Sequence, residues 1–150
     1  MIASMTRFSA VALVLSAAPV FAQAPRPAGL IKIASGSAFV VRAGAQLPAE
    51  AGQPIFEADT VKTGADGRLG ITLKDDTRVS LGPSSEVRVN RFVYAPAEGR
   101  LGLVLGVVRG VMAYVSGRIA KLAPDSIRLE TPAAVMGVRG TTLAVRVTPQ

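Results

Sequence analysis

From Leu30 onward the apolar positions of the chain recur with a period of two rather than 3.6. Leu69, Ile71 and Leu73 alternate with Gly70, Thr72 and Lys74, and Arg78-Val79-Ser80-Leu81 resumes the alternation after Asp75-Asp76-Thr77. In Glu86-Val87-Arg88-Val89-Asn90 the two valines share one face, and residues 126–130 and 142–147 repeat the pattern. Each segment predicts a half-buried strand. Turn compositions separate them: Gly64-Ala65-Asp66-Gly67, Asp75-Asp76, Gly82-Pro83-Ser84-Ser85, Pro96-Ala97-Glu98-Gly99 and Pro124-Asp125. The pattern predicts an all-β domain, a single antiparallel β-sandwich or roll of short strands, with a β-solenoid as the alternative. No amphipathic helix is expected after the first residues. Ala43 to Ala51 is rich in alanine but carries Pro48, so it reads as a loop or a single turn.

Two places in the pattern leave a choice. Arg91 falls on the inward phase of the strand that holds Val87 and Val89, so the strand ends there or a bulge resets it before Phe92 and Tyr94; the strand end is the simpler reading. Leu101 to Val115 is almost wholly apolar, with Gly102, Gly106 and Gly110 at four-residue spacing. That spacing is shared with membrane helix dimers, but the run is short, contains Arg109 and is rich in valine. One or two strands buried on both faces fit it better.

The first residues follow a different rule. Arg7 precedes an uncharged stretch from Phe8 to Ala18, and Pro19 leads into small residues. This is the layout of a secretory signal peptide, with cleavage expected after Ala22; cleavage after Ala24 would place Pro25 beside the scissile bond. The apolar core is short of the roughly 20 residues that a membrane anchor needs, so no stable span is expected after cleavage. The chain thus divides into a signal peptide at 1–22, a Pro-rich flexible tail and first strand at 23–35, and a β domain at 36–147. The expected location is the periplasm.

Composition then removes most chemistry. The 150 residues include no Cys and no His, which excludes disulfides, thiol catalysis, the usual general base and most zinc sites. Most acidic residues fall at predicted turns, and Glu86 and Glu130 fall on outward strand positions, so solvated carboxylates are expected rather than a catalytic pair. Asp75-Asp76 lacks the spaced ligand series of a calcium loop. No catalytic residue, metal or cofactor is expected. The 17 Lys and Arg outnumber the 10 Asp and Glu, but the basic residues are dispersed among apolar ones and aromatics are few, so nucleic acid is not expected as a partner. A basic exported surface suits anionic envelope polymers, lipid headgroups or an acidic protein.

Three blocks occur in order: residues 59–68 from Asp59 through Thr63-Gly64-Ala65-Asp66-Gly67, residues 81–89 around Gly82-Pro83, and residues 131–141 ending in Gly137-Val138-Arg139-Gly140-Thr141. Together they resemble the FecR domain, the β-rich periplasmic module of FecR-type regulators, across roughly residues 36–147. Two positions depart from that pattern: Ala58 stands before Asp59 where the family usually has glycine, and Asp75-Asp76 replaces Asp-Gly in the central hairpin, which implies a longer or distorted loop. The same residues have a structural reading. Gly64 and Gly67 supply positive φ, Thr63 and Asp66 bond local amides, and Pro83 fixes a turn. Gly137 and Gly140 flank a basic residue where backbone passes close to its neighbours, and Gly140→Val is expected to harm folding if that position needs positive φ. Arg139 either meets a partner's carboxylate or bonds backbone carbonyls of its own loop, the latter being favoured.

The resemblance implies signalling between an outer-membrane receptor and a sigma factor. With only an export signal before the domain, direct sigma-factor control is not expected of this polypeptide. The expectation is an exported, non-enzymatic protein that recognises a protein partner in envelope sensing or assembly, using strand edges or Gly-rich loops. The alternative is a binding module for peptidoglycan or another anionic glycan.

Overall fold

The computed structural model describes residues 18–149. The apolar part of the expected leader, up to residue 17, lies outside the described residues. After an irregular stretch to Ala28, the chain forms β1 (Gly29–Ser35), β2 (Ala38–Arg42), β3 (Ala45–Pro48), β4 (Pro54–Ile55), β5 (Thr60–Thr63), β6 (Arg68–Leu73), β7 (Arg78–Leu81), β8 (Glu86–Ala95) and β9 (Arg100–Val115). A one-turn helix α1 (Arg118–Leu122) leads to β10 (Ile127–Glu130), β11 (Val135–Gly137) and β12 (Thr142–Val147). The strands run β3-β2-β5-β8-β9-β7-β6-β1-β4 across one sheet, which curls into an open half-barrel. Every pairing is antiparallel except that of β9 with β10. This is the antiparallel roll that the period of two predicts.

The inward positions of that period make the core. Val40, Val61, Val87, Leu105 and Leu129 lie on one side of the curl, and Ile31, Ile71, Val79, Met112 and Tyr114 on the other, all essentially without solvent contact. Truncating one of these leucines costs roughly 2–5 kcal/mol, because the lost transfer energy and the cavity add.

Strand β9 carries both halves. Its residues Leu103–Gly106 lie between β8 and β10, and Met112–Val115 lie between β7 and β12. The inward side chains are Leu103, Leu105 and Val107 before the bend but Met112 and Tyr114 after it. The phase slips by one residue, and the slip is a bulge: Glu86 faces Arg109 while Val87 faces Val107, leaving Val108 unopposed. Gly110 follows with φ +84, and a methyl group there would overlap the Ser85 hydroxyl. The apolar run is therefore one sixteen-residue strand. Its outer face is covered by neighbouring side chains, with Arg91 lying over Gly102 and Asn90 over Gly106 on its way to Glu130.

Three local expectations are corrected. Strand β8 does not end at Arg91; its register shifts between Val89 and Arg91, Asn90 is the extra residue, and Phe92 and Tyr94 return to the core side. Residues 45–48 are not a loop but an edge strand, whose pairing with β2 tolerates Pro48 at its end. A helix does follow the last apolar run, too short to show a period, and it exists because Ile119 plugs the core.

Candidate functional site

The first block builds an ion pair around a buried carboxylate. Residues Phe56–Asp59 form a turn closed by the Asp59 amide on the Phe56 carbonyl at 3.1 Å, with Ala58 at φ 73. That turn carries the Asp59 carboxylate inward to 2 % exposure. The Arg42 guanidinium donates to it through Nε at 3.0 Å and Nη2 at 2.7 Å, and also donates to the Pro54 carbonyl at 3.0 Å. The Phe56 amide donates to the same carboxylate at 2.9 Å, and the Phe56 ring stacks 4.6 Å from the guanidinium. Asp59, the principal hydrogen-bond partner, raises the Arg42 pKa above its ordinary value. The pair ties β2 to the entry of β5. Removing Arg42 is costly because the Asp59 charge stays buried, whereas Arg42 is one-third exposed and can be hydrated when Asp59 is removed.

The second half of the first block meets the second block. Thr63 Oγ1 donates to the Gly82 carbonyl at 2.6 Å and accepts from the Ser85 amide at 3.0 Å. The Ser84 amide donates to the Gly64 carbonyl at 2.9 Å. Ser85 Oγ, fully buried, donates to the Pro83 carbonyl at 3.0 Å and accepts from the Val111 amide at 2.8 Å. On the opposite side, the Gly64 amide donates to the Ser37 carbonyl at 2.7 Å, and a side chain at Gly67 would overlap that carbonyl. The Ser37 amide donates to the Asp66 carboxylate at 3.3 Å. The Ser37 hydroxyl, then its amide, hold the Asp66 carboxyl below the usual carboxylate range. Thr63 and Asp66 therefore bond amides 22 and 29 residues away rather than local ones. Gly64 and Gly67 are required by close approach of the β1–β2 turn, not by positive φ, and Gly82 likewise has ordinary φ.

A third cluster was not expected at all. Asp75 is fully buried, accepting from the Thr77 amide at 3.1 Å, the Thr77 hydroxyl at 2.7 Å and the Ile119 amide at 3.2 Å. It fixes the β6–β7 hairpin to the start of α1. The hairpin loop is the distorted one that the missing glycine implies: Lys74, Asp75 and Asp76 span it, with Asp76 at φ 68 in the position glycine usually takes. Asp59 and Asp75 thus overturn the expectation of solvated turn carboxylates. Beside Asp75 lies Tyr114, whose buried hydroxyl makes no hydrogen bond of good geometry, although the Thr77 hydroxyl is near enough to oppose the rise in its pKa. Burial, and then the Asp75 charge, push its pKa up to about 12.

The family model described as FecR protein matches residues 59–150, from the buried aspartate through the last strand. The chain belongs to the FecR family. Comparison with curated proteins and with solved structures gave no match. The FecR family is a regulatory, non-enzymatic one, so a FecR-type regulatory or sensing role applies in general. FecR domains are typically periplasmic, and no helix among the described residues is long and apolar enough to cross a membrane.

The third FecR block stands apart from the first two. Thr131 Oγ1 accepts from the Ala133 and Ala134 amides at 3.3 and 3.0 Å, closing the β10–β11 hairpin. Gly137 and Gly140 have open space around them and ordinary φ, so Gly140 does not need the left-handed region. Arg139 does not bond the carbonyls of its own loop: its Nη2 lies 2.6 Å from Asp125 Oδ1, with both side chains about four-fifths exposed. The Thr141 carbonyl accepts from the Ser116 amide at 2.9 Å, seating β12 on β9. Sequence reading missed Arg42, Ser37 and Gly110, the partners that make these motifs work. Only glycine in an apolar run hinted at one of them.

Proposed function

We propose that this FecR-family chain is an exported, periplasmic, non-enzymatic protein that acts by recognising a protein partner in envelope sensing or assembly. One observation carries the reading. The motif residues of the first two blocks are engaged in holding turns together, with Asp59, Thr63 and Ser85 buried and hydrogen-bonded within the fold. What the domain offers to a partner is its strand edges and an exposed cationic surface. Unpaired backbone groups on an edge accept another strand and give affinity without catalytic side chains.

The test is crosslinking in the periplasm followed by pulldown of the chain. Recovery of a discrete protein adduct, lost on competition with unlabelled chain, is the expected result. Recovery of polymer fragments alone overturns the reading. A second reading, binding to peptidoglycan or another anionic glycan, has its own support. Arg88, Arg91 and Arg128 are exposed on the outer face and make no ion pair among the described residues. Arg91 and Arg128 oppose the same residue, Val104, from either side. Sedimentation with purified sacculi that survives moderate salt supports this reading, whereas loss at modest ionic strength reduces it to screened charge.

A further inference from the structure

Beyond Gly106, β9 loses β10 as a neighbour, and it does not gain β12 until Gly110. Along Val107–Arg109 that edge has no ladder partner among the described residues. The two flanking elements diverge from this point and leave a cleft of about 760 Å³. Its floor is Val108, one wall is Met136 with the Thr131–Ala134 turn, and the other wall is β12 with Leu143 and Val147. Val108 is 44 % exposed and Val135, on the neighbouring strand, 66 %.

The outer edge of β12 is also free among the described residues, where β12 pairs with β9 alone. Alternation in an antiparallel ladder decides which groups it presents. The Ser116 amide donates to Thr141, so Thr141, Leu143 and Val145 bond β9. The amides and carbonyls of Thr142, Ala144 and Arg146 then point away from it, along the cleft. Charge selects the occupant. Arg109 and Arg146 line the cleft and no carboxylate does. Arg109 is already 3.4 Å from Glu86, whereas Arg146 has no ion-pair partner among the described residues.

We propose that this cleft binds an extended peptide segment of a partner protein, added as a strand to the free edge of β12, with apolar side chains on Val108 and Met136 and a carboxylate on Arg146. The inference rests on the protein-recognition reading above and names its surface and the chemistry of its partner. Backbone bonds supply affinity, and the apolar floor and the arginine supply selectivity.

The probe is an acetylated eight-residue peptide that alternates valine and threonine and ends in glutamate, titrated into the ¹⁵N-labelled chain. Three control peptides accompany it: one with alternate amides N-methylated, one ending in glutamine amide, and one ending in lysine amide. Shifts concentrated on β12 and Val108, with slowed exchange of the Thr142, Ala144 and Arg146 amides, are expected with the first peptide. The N-methylated control should fail. Ala144→Pro removes an outward amide and no bond to β9, so it should leave melting unchanged and abolish binding. Should that variant fold poorly, Arg146→Glu gives the second arm, with affinity for the glutamate peptide falling about tenfold.

Equal binding of the N-methylated peptide overturns the proposal, as do shifts centred elsewhere or no shift at millimolar peptide. A concentration-dependent dimer through β12 also overturns it, since the edge then belongs to a second copy. So does displacement of the peptide by solubilised peptidoglycan fragments from the same amides. If the peptide fails while periplasmic pulldown still yields a protein adduct, the cleft assignment falls alone. If pulldown yields only polymer, the wider reading falls.

Discussion

Ala58 occupies the third position of the Phe56–Asp59 turn at φ 73, where a turn with positive φ favours glycine. Its methyl is exposed, so replacement by glycine opens no cavity. The left-handed region costs an L-residue roughly 1–2 kcal/mol. Glycine offsets part of that gain by about 0.5–1 kcal/mol, through the wider freedom of its unfolded chain. Ala58→Gly is therefore expected to stabilise the domain by about 0.5–1 kcal/mol. For a chain of this size the melting temperature rises by roughly 1–4 °C, as read by calorimetry or circular dichroism. Ala65→Gly is the matched control. Ala65 is also an exposed turn alanine but is not at positive φ, and its replacement should lower melting slightly. If both variants melt alike, or Ala58→Gly melts lower, backbone strain at this turn is refuted as the reason glycine suits the position before the buried aspartate.

Tyr114→Phe removes a buried hydroxyl that makes no hydrogen bond of good geometry and is expected to stabilise the fold at neutral pH by about 1 kcal/mol. The wild-type tyrosine titrates near 10 when unfolded and at about 12 when folded. Above pH 10 the unfolded chain has lost a proton that the folded chain retains, so stability falls as pH rises through that window, by roughly 2–3 kcal/mol in all. Urea melts from pH 9 to 12 should show that loss in the wild type and not in Tyr114→Phe; parallel curves would remove the assignment. Gly110→Ala forces a side chain into positive φ and into Ser85 and the Ser84 carbonyl, which should cost roughly 2–4 kcal/mol in urea denaturation. Gly140→Val and Arg139→Ala, by contrast, should each stay within about 0.5 kcal/mol, because the first site has open space and the second an exposed ion pair.

The strands were legible because their period of two survives in the residues themselves: Leu69, Ile71 and Leu73 alternate in the chain and are buried in the sheet. Punctuation by glycine and aspartate placed most turns correctly. What escaped depends on distant neighbours. Asp59 and Asp75 look like turn carboxylates facing water, and nothing local reveals that Arg42 stands 17 residues away or that the Ile119 amide stands 44 residues away. Arg91 was ambiguous for the same reason: its outward turn is permitted by Gly102 on the opposing strand, where the guanidinium lies. Strand β3 was missed because its residues are all exposed, so burial leaves no alternation to read, and only pairing with β2 defines it.

The residues that carry the FecR resemblance in the first two blocks turn out to be those on which the curl of the sheet depends. Gly64 and Gly67 admit the β1–β2 turn, Thr63 and Ser85 join the two blocks, and Ser85 holds Val111 just past the bend of β9. A signature made of such residues recurs because the fold requires it, whatever the domain recognises. On the protein-recognition reading proposed above, partner choice resides where those requirements are absent. The third block has that character, since Gly137 and Gly140 touch nothing and Arg139 is solvated. The hairpin that carries the block's beginning walls the cleft beside β12. On that reading, substitutions in the first two blocks should change stability and binding together, whereas those at exposed positions of β12 and β11, such as Ala144, Arg146 and Val135, should change binding alone.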